Sequence, residues 1–257
     1  MSRQDLQRFA QGQVLTTKEL SQALRTTRSK AARIAFNLKR SGFLAPIQRG
    51  VYASVPLDAD PKKFQPDPYL VVNRALGDQF AFSYFSALAL LGGEDTVRRT
   101  VHVSGRNVRP RNRALGNLRL HVHPISAKDW SDATRQLRRG GQMLRVTTPE
   151  RTLVDLASLP NKQQDYEAEL QAFRALLPRV DLTKLLREAL SAPRKTTRAR
   201  LGHYLLESSD NSSDVAQVLE SLLRSLRGAS TSYLGTGPNY RSNRFDPMFR
   251  VVYPGQS

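Results

Sequence analysis

The 257-residue chain contains no cysteine. Disulfides, thiolate metal sites and a cysteine nucleophile are thereby excluded, and a reducing compartment is compatible. Aromatic residues make up only 7 %, with one tryptophan, Trp130, read as a packing residue. No stretch approaches the roughly eighteen apolar residues of a membrane span. The amphipathic start, MSRQDLQRFAQGQ, lacks the apolar run of a signal peptide. A cytoplasmic protein without a membrane partner is the expectation. Acidic residues are scarce: 22 Asp and Glu stand against 40 Lys and Arg, a net charge of +18. Such an excess bears on partners rather than fold, and a polyanion is the first candidate.

Catalytic signatures are missing as well. There is no GxxxxGK[ST] phosphate loop and no GxGxxG, and neither Ser83 nor Ser86 sits in a G-x-S-x-G elbow. A metal-dependent nuclease needs clustered carboxylates. Glu150 and Asp155 read instead as a helix start and its solvated face, Glu167 and Glu169 as a polar helix side. His121 and His123 alternate on a strand and share a face. With no third ligand nearby in sequence they read as two partly exposed histidines rather than a zinc pair. His102 and His203 stand alone. No catalytic residue, metal or cofactor is expected, and the chain is not read as an enzyme.

What the chain does have is a helix-turn-helix pattern over residues 16–54, TTKELSQALRTTRSKAARIAFNLKRSGFLAPIQRGVYAS. Before it, Ser2 caps a first helix whose stripe is Leu6, Phe9 and Ala10 and which Gly12 ends. Thr16 or Thr17 then caps a helix, Glu19 is placed for a capping box, and Leu20, Ala23 and Leu24 face inward. Thr27 caps the next helix, in which Ala31, Ile34, Ala35 and Leu38 recur at core spacing. Arg28, Ser29, Lys30, Arg33, Asn37 and Arg40 take the rest of the circumference, and Gly42 is a left-handed stop. Residues 43–47 and 51–55 alternate as two strands about the turn Gln48-Arg49-Gly50.

This order is that of a winged helix-turn-helix. A recognition helix enters the major groove with its N-terminal residues near base edges. Thr27, Arg28, Ser29 and Lys30 stand there, followed by Arg33 and Asn37. Paired hydrogen bonds match Arg to guanine and Asn to adenine. Lys39 and Arg40 suit phosphates, and Arg49 at the wing tip suits a minor groove or the backbone. The bland alternative is a solvated helix face.

The fold class expected is α+β: a winged helix-turn-helix at 1–57, a Pro-rich linker at 58–67, and a larger, helix-rich mixed α/β domain at 68–257. In that domain a helix from Pro68 to Leu76, a short strand and a helix from Tyr84 to Leu91 come first. Strands at 100–104 and 118–122 flank the basic loop GRNVRPRNRALGN, whose Arg106, Arg109, Arg111 and Arg113 suit phosphate contact. A polar segment, 127–139, precedes a strand at 142–146. Helices follow at 149–159, 163–177, 181–191, 197–206 and 213–227, and a pair of strands closes the chain. Residues 98–151 carry thirteen Lys and Arg against three Asp and Glu, the largest local excess.

The segment TTPERTLVDLA, residues 147–157, resembles the AbiEi family, the antitoxins of type IV toxin–antitoxin systems. FLAPIQRGVYA resembles that family's wing, FAFSYFSALALLGG its helix after a short strand, and YLGTG…FRVVYP its terminal strands. The resemblance implies a DNA-binding repressor of its own operon, acting on promoter repeats in double-stranded DNA. It implies a C-terminal domain that counteracts a cognate nucleotidyltransferase-like toxin. Thr27 to Arg40 would be the reading helix and Arg49 the wing contact, with Arg151 and Asp155 structural. Two other classes remain open: a DNA-targeted metal-dependent nuclease and a ligand-responsive transcription regulator.

Overall fold

The computed structural model describes residues 14–56, 58–92, 100–159, 166–209, 213–235 and 243–255. The helix expected over residues 2–12 lies outside them. The described chain is α+β, a β-α-α-β-β segment followed by a larger helix-rich region with a mixed sheet. It forms two compact units, each assembled from three stretches. Met1–Phe82, Val97–Ala127 and Gln136–Arg145 make the first; Ser83–Thr96, Lys128–Arg135 and Val146–Ser257 make the second. The stretch expected as a linker, 58–67, falls inside the first unit.

In the opening segment β1 (Val14–Thr16) pairs with β3 (Val51–Ser54), which pairs with β2 (Leu44–Gln48), all antiparallel. β1 is too short to show alternation, so no strand is legible there in the sequence. Thr16 caps α1 (Thr17–Ala23) through a complete capping box. Its Oγ1 accepts from the Glu19 N–H at 3.2 Å, and Glu19 Oε2 accepts from the Thr16 N–H at 2.8 Å. Such a cap contributes about 1 kcal/mol. Leu20 is buried as expected, whereas Ala23, expected to face inward, is exposed at the last position of α1. After a turn, α2 (Arg28–Arg40) packs Ala31 and Ala35 into a cluster with Leu15, Leu20 and Leu44. Both alanines are fully buried, so larger residues there would overpack the helix contact by roughly 1–3 kcal/mol.

The rest of the first unit is α3 (Pro68–Leu76) and a six-stranded sheet. Asp67 caps α3: its Oδ1 accepts from the N–H groups of Tyr69 and Leu70 at 2.8 and 3.4 Å, and its Oδ2 accepts from Arg139 Nε at 2.7 Å. The strands are β4 (Phe80–Phe82), β5 (Thr100–Arg106), β6 (Arg111–Leu115), β7 (Leu118–Ile125), β8 (Thr134–Arg139) and β9 (Gln142–Thr147). Their order is β6–β7–β5–β4–β9–β8, with β5 and β7 parallel; the division into units assigns the outer ends of β8 and β9 to the second.

Two of these strands correct the sequence reading, which expects loop over Arg111–Leu115 and part of a polar segment over Thr134–Arg139. Both are sheet edges, where more of the side chains meet water and charge blunts further pairing, so the apolar alternation of a strand is lost. For β8 a signal is present: Gly140-Gly141 joins it to β9 with φ of +52° and +74°. A two-residue turn with positive φ at both positions matches the twist of the flanking strands.

The second unit holds α4 (Tyr84–Leu90), α5 (Trp130–Ala133), α6 (Pro149–Ser158), α7 (Tyr166–Leu176), α8 (Leu182–Ser191), α9 (Lys195–Ser208) and α10 (Ser213–Ser225). A small sheet completes it, β10 (Ser232–Tyr233), β12 (Val251–Pro254) and β11 (Asn243–Asp246) in that order. α6 starts from a capping threonine: Thr148 Oγ1 accepts from the Arg151 N–H at 3.3 Å, and Pro149 takes the first position, where no N–H is needed. Leu153, Leu156, Phe173, Leu185, Tyr204 and Leu222 form the centre of the core. Trp130 is buried, as a packing residue should be.

Several polar side chains of this unit depart from expectation. Asp155 does not lie on a solvated face; it is buried and accepts from Arg151 Nε at 2.8 Å, while Arg151 Nη1 donates to Glu188 Oε2 at 3.4 Å. Glu150 accepts from the Asp181 N–H at 2.9 Å, and Glu169 accepts from the Tyr204 hydroxyl inside the core. His203 does not stand alone. Its Nε2 lies 3.2 Å from the Tyr166 hydroxyl and its Nδ1 2.9 Å from Asp246 Oδ2. The cause is packing on more than one side. Every residue of α6 except Arg151 and Ser158 is buried, so its polar positions have no solvent face to occupy. Burial raises the Asp155 carboxyl above its ordinary range, with Arg151 opposing.

Candidate nucleic-acid interface

α2 is positioned by what precedes it. α1 ends at Leu24, Arg25 takes a positive φ of 46°, and Thr27 enters α2 extended, its Oγ1 accepting from the Lys30 N–H at 3.3 Å. Thr27, Arg28, Ser29, Lys30, Arg33, Asn37 and Arg40 are all exposed. α2 carries five Lys or Arg and no acid, and among the described residues no carboxylate pairs with any of the five. Arg28 and Lys30 sit at the positive end of the helix dipole, where a cation costs about 0.3–1 kcal/mol, whereas Lys39 and Arg40 sit at the favourable end. Helix stability therefore does not explain the cations of the first turn.

The β2–β3 turn is tied down. The Thr17 N–H and Oγ1 both donate to the Gly50 carbonyl, at 2.9 and 3.3 Å, and Gly50 takes a φ of +79°. The ladder register shifts between Pro46 and Gln48. Arg49 is exposed beside this anchored glycine, so its backbone is held while its side chain extends into solvent.

The arginines of the basic middle are not on one loop. Arg106 ends β5 and Arg109 follows it, whereas Arg111 and Arg113 lie on the edge strand β6, opposite Val122 and Leu120 of β7. All four are exposed. At an edge, charged side chains also discourage further strand pairing, so Arg111 and Arg113 have a second physical role. On the other face of the sheet His102 joins the two histidines of β7, which corrects its reading as solitary. Its Nδ1 lies 3.2 Å from His123 Nε2, and its ring centroid 4.9 Å from that of His121. Burial, then His121, pushes His123 down to about 4, and burial with Arg119 lowers His121. Among the described residues no group of three His, Cys, Asp or Glu could hold a metal ion.

The first unit also has a half-open cleft of about 710 Å³ beside β2, lined by Pro46, Ile47, Phe64, Leu115, Leu118 and Arg139 among others. No sequence signal announces it, since its walls come from several separate stretches. Ala32 and Phe36 also carry no local signal of a functional role. Both are exposed on the outer face of α2, and Phe36 keeps 57 % of its surface in contact with solvent.

The chain shares its fold with a solved bacterial structure. The RV2827C protein from Mycobacterium tuberculosis superimposes with a TM-score of 0.71 at 18 % identity, over 96 % of this chain and 89 % of that one. A likeness at that identity establishes the architecture and nothing finer. No family model and no curated protein matches the chain. No helix among the described residues is long and apolar enough to cross a membrane.

Proposed function

We propose that the β-α-α-β-β segment is a winged helix that binds double-stranded DNA, with α2 in the major groove and the β2–β3 turn beside it. The observation that carries this reading is the two-faced α2. Its inner face buries Ala31 and Ala35 fully and Ile34 and Leu38 in part, and its outer face is exposed and cationic, with no acid paired to it among the described residues. The strand order β1–β3–β2 around two helices is what such a module requires. Arg28, Arg33 and Asn37 are assigned to bases; Thr27, Ser29, Lys30 and Arg40 complete the reading helix, and Arg49 the wing.

The resemblance of TTPERTLVDLA to AbiEi antitoxins extends the proposal. The protein is a non-enzymatic repressor of its own toxin–antitoxin operon, and its helix-rich region counteracts a nucleotidyltransferase-like toxin. A gel shift against the DNA upstream of its own reading frame tests the first part. Salt-sensitive binding to a repeat there is expected, and its absence would sink the reading. Arg28→Ala and Arg33→Ala should each weaken specific binding by about 1–3 kcal/mol, and Arg49→Ala should weaken binding with little change in sequence preference. Equal losses on specific and random DNA for all three would remove the base-reading assignment. The cleft beside β2 favours one second reading, a regulator whose DNA binding answers to a small ligand.

A further inference from the structure

We infer that α2 reads the 5-methyl group of thymine through Phe36, an inference that rests on the DNA-binding reading. Phe36 is 57 % exposed and points away from the cluster that buries Ala31 and Ala35, on an outer face otherwise charged or polar except for Ala32. Ala32, one turn earlier, is exposed on the same side, so the two form a short apolar strip along the helix. Arg28 and Lys39 fall to one side of that strip and Arg33 and Asn37 to the other, by the helical period.

A phenyl ring has no use for a phosphate, and it cannot make the hydrogen bonds that distinguish guanine, adenine or cytosine. The thymine methyl is the apolar feature that a base edge offers in the major groove, and Phe and Ala are among the side chains that meet it. The strip therefore adds a thymine-over-cytosine preference to what Arg33 and Asn37 read. The partner it fits is a B-form duplex with thymine within reach of the middle of α2.

The test uses the full chain and a short duplex that it enriches from a random pool. That duplex is resynthesised with deoxyuridine at each thymine in turn, which deletes the methyl and leaves every hydrogen bond. At one or more positions the substitution should lower wild-type affinity about four-fold, the equivalent of one methyl-sized burial. Phe36→Ala should bind thymine and uracil duplexes alike, with an unchanged far-UV spectrum because the side chain is exposed. Arg33→Ala should keep the difference. Equal wild-type affinity for the two duplexes, or discrimination retained by Phe36→Ala, overturns the inference while leaving the DNA-binding reading in place. A pool from which no duplex is enriched with salt-sensitive binding overturns both.

Discussion

Three imidazoles meet on one face of β5 and β7, and burial on that face lowers the pKa of His123 and of His121. His102 stands opposite His121 in the parallel register, and His123 lies within hydrogen-bond distance of His102. His123, pushed down from 6.5 to about 4, is neutral in the folded protein at pH 7. Between about pH 6.5 and 4 the unfolded chain therefore binds more protons than the folded one. Stability is complete above that window and falls as the pH drops through it, by roughly 2–3 kcal/mol from His123. Urea denaturation at pH 7 and pH 4.5 should show the loss, and His123→Gln should reduce it. An identical pH dependence in the variant would locate the source elsewhere. Strand alternation alone puts His121 and His123 on one face. His102 joins them only through the pairing of β5 with β7, which no local pattern encodes.

Elements with a strict period are legible, and edges are not. The outward residues named for α2 are all exposed and Ala31 and Ala35 of its inner stripe buried, because an amphipathic helix records both faces in its own sequence. β6 and β8 do not stand out because each is a sheet edge with little apolar alternation to display. α9 presents a different case. Gly202 lies within the helix where a smaller-than-alanine residue is required, since a Cβ there would stand 2.1 Å from Phe249 Cε1. Gly202→Ala should raise intrinsic helix propensity yet destabilise the protein by about 1–3 kcal/mol through overpacking. Thermal unfolding measures the sign. A stabilised variant would mean that the Phe249 ring moves aside at little cost.

Charge belongs to the scale of the whole molecule. The net +18 is concentrated less in the β-α-α-β-β segment than in residues 98–151. If Arg106, Arg109, Arg111 and Arg113 extend the footprint on DNA, substituting all four with glutamine should lower the slope of log affinity against log salt. The expected change is about 0.9 for each phosphate that these arginines neutralise. A filter-binding titration across salt concentrations reads this directly. An unchanged slope would leave Arg111 and Arg113 with the protection of the β6 edge as their role.

Residue order alone dictates the α+β class, the cap at Thr27, the two faces of α2 and the sign and distribution of charge. These are properties of neighbours along the chain, or of a helical or strand period repeated within one element. Packing between distant segments sets the rest. It buries and bonds Asp155, Glu169 and His203, brings His102 into a cluster, and folds 58–67 into a unit. It also makes β6 and β8 edges and leaves Phe36 in solvent beside Ala32 on a largely polar face. The physical reason is common to all of them. Burial of a polar group and exposure of an apolar one depend on what packs from distant parts of the chain, and a local period is blind to that.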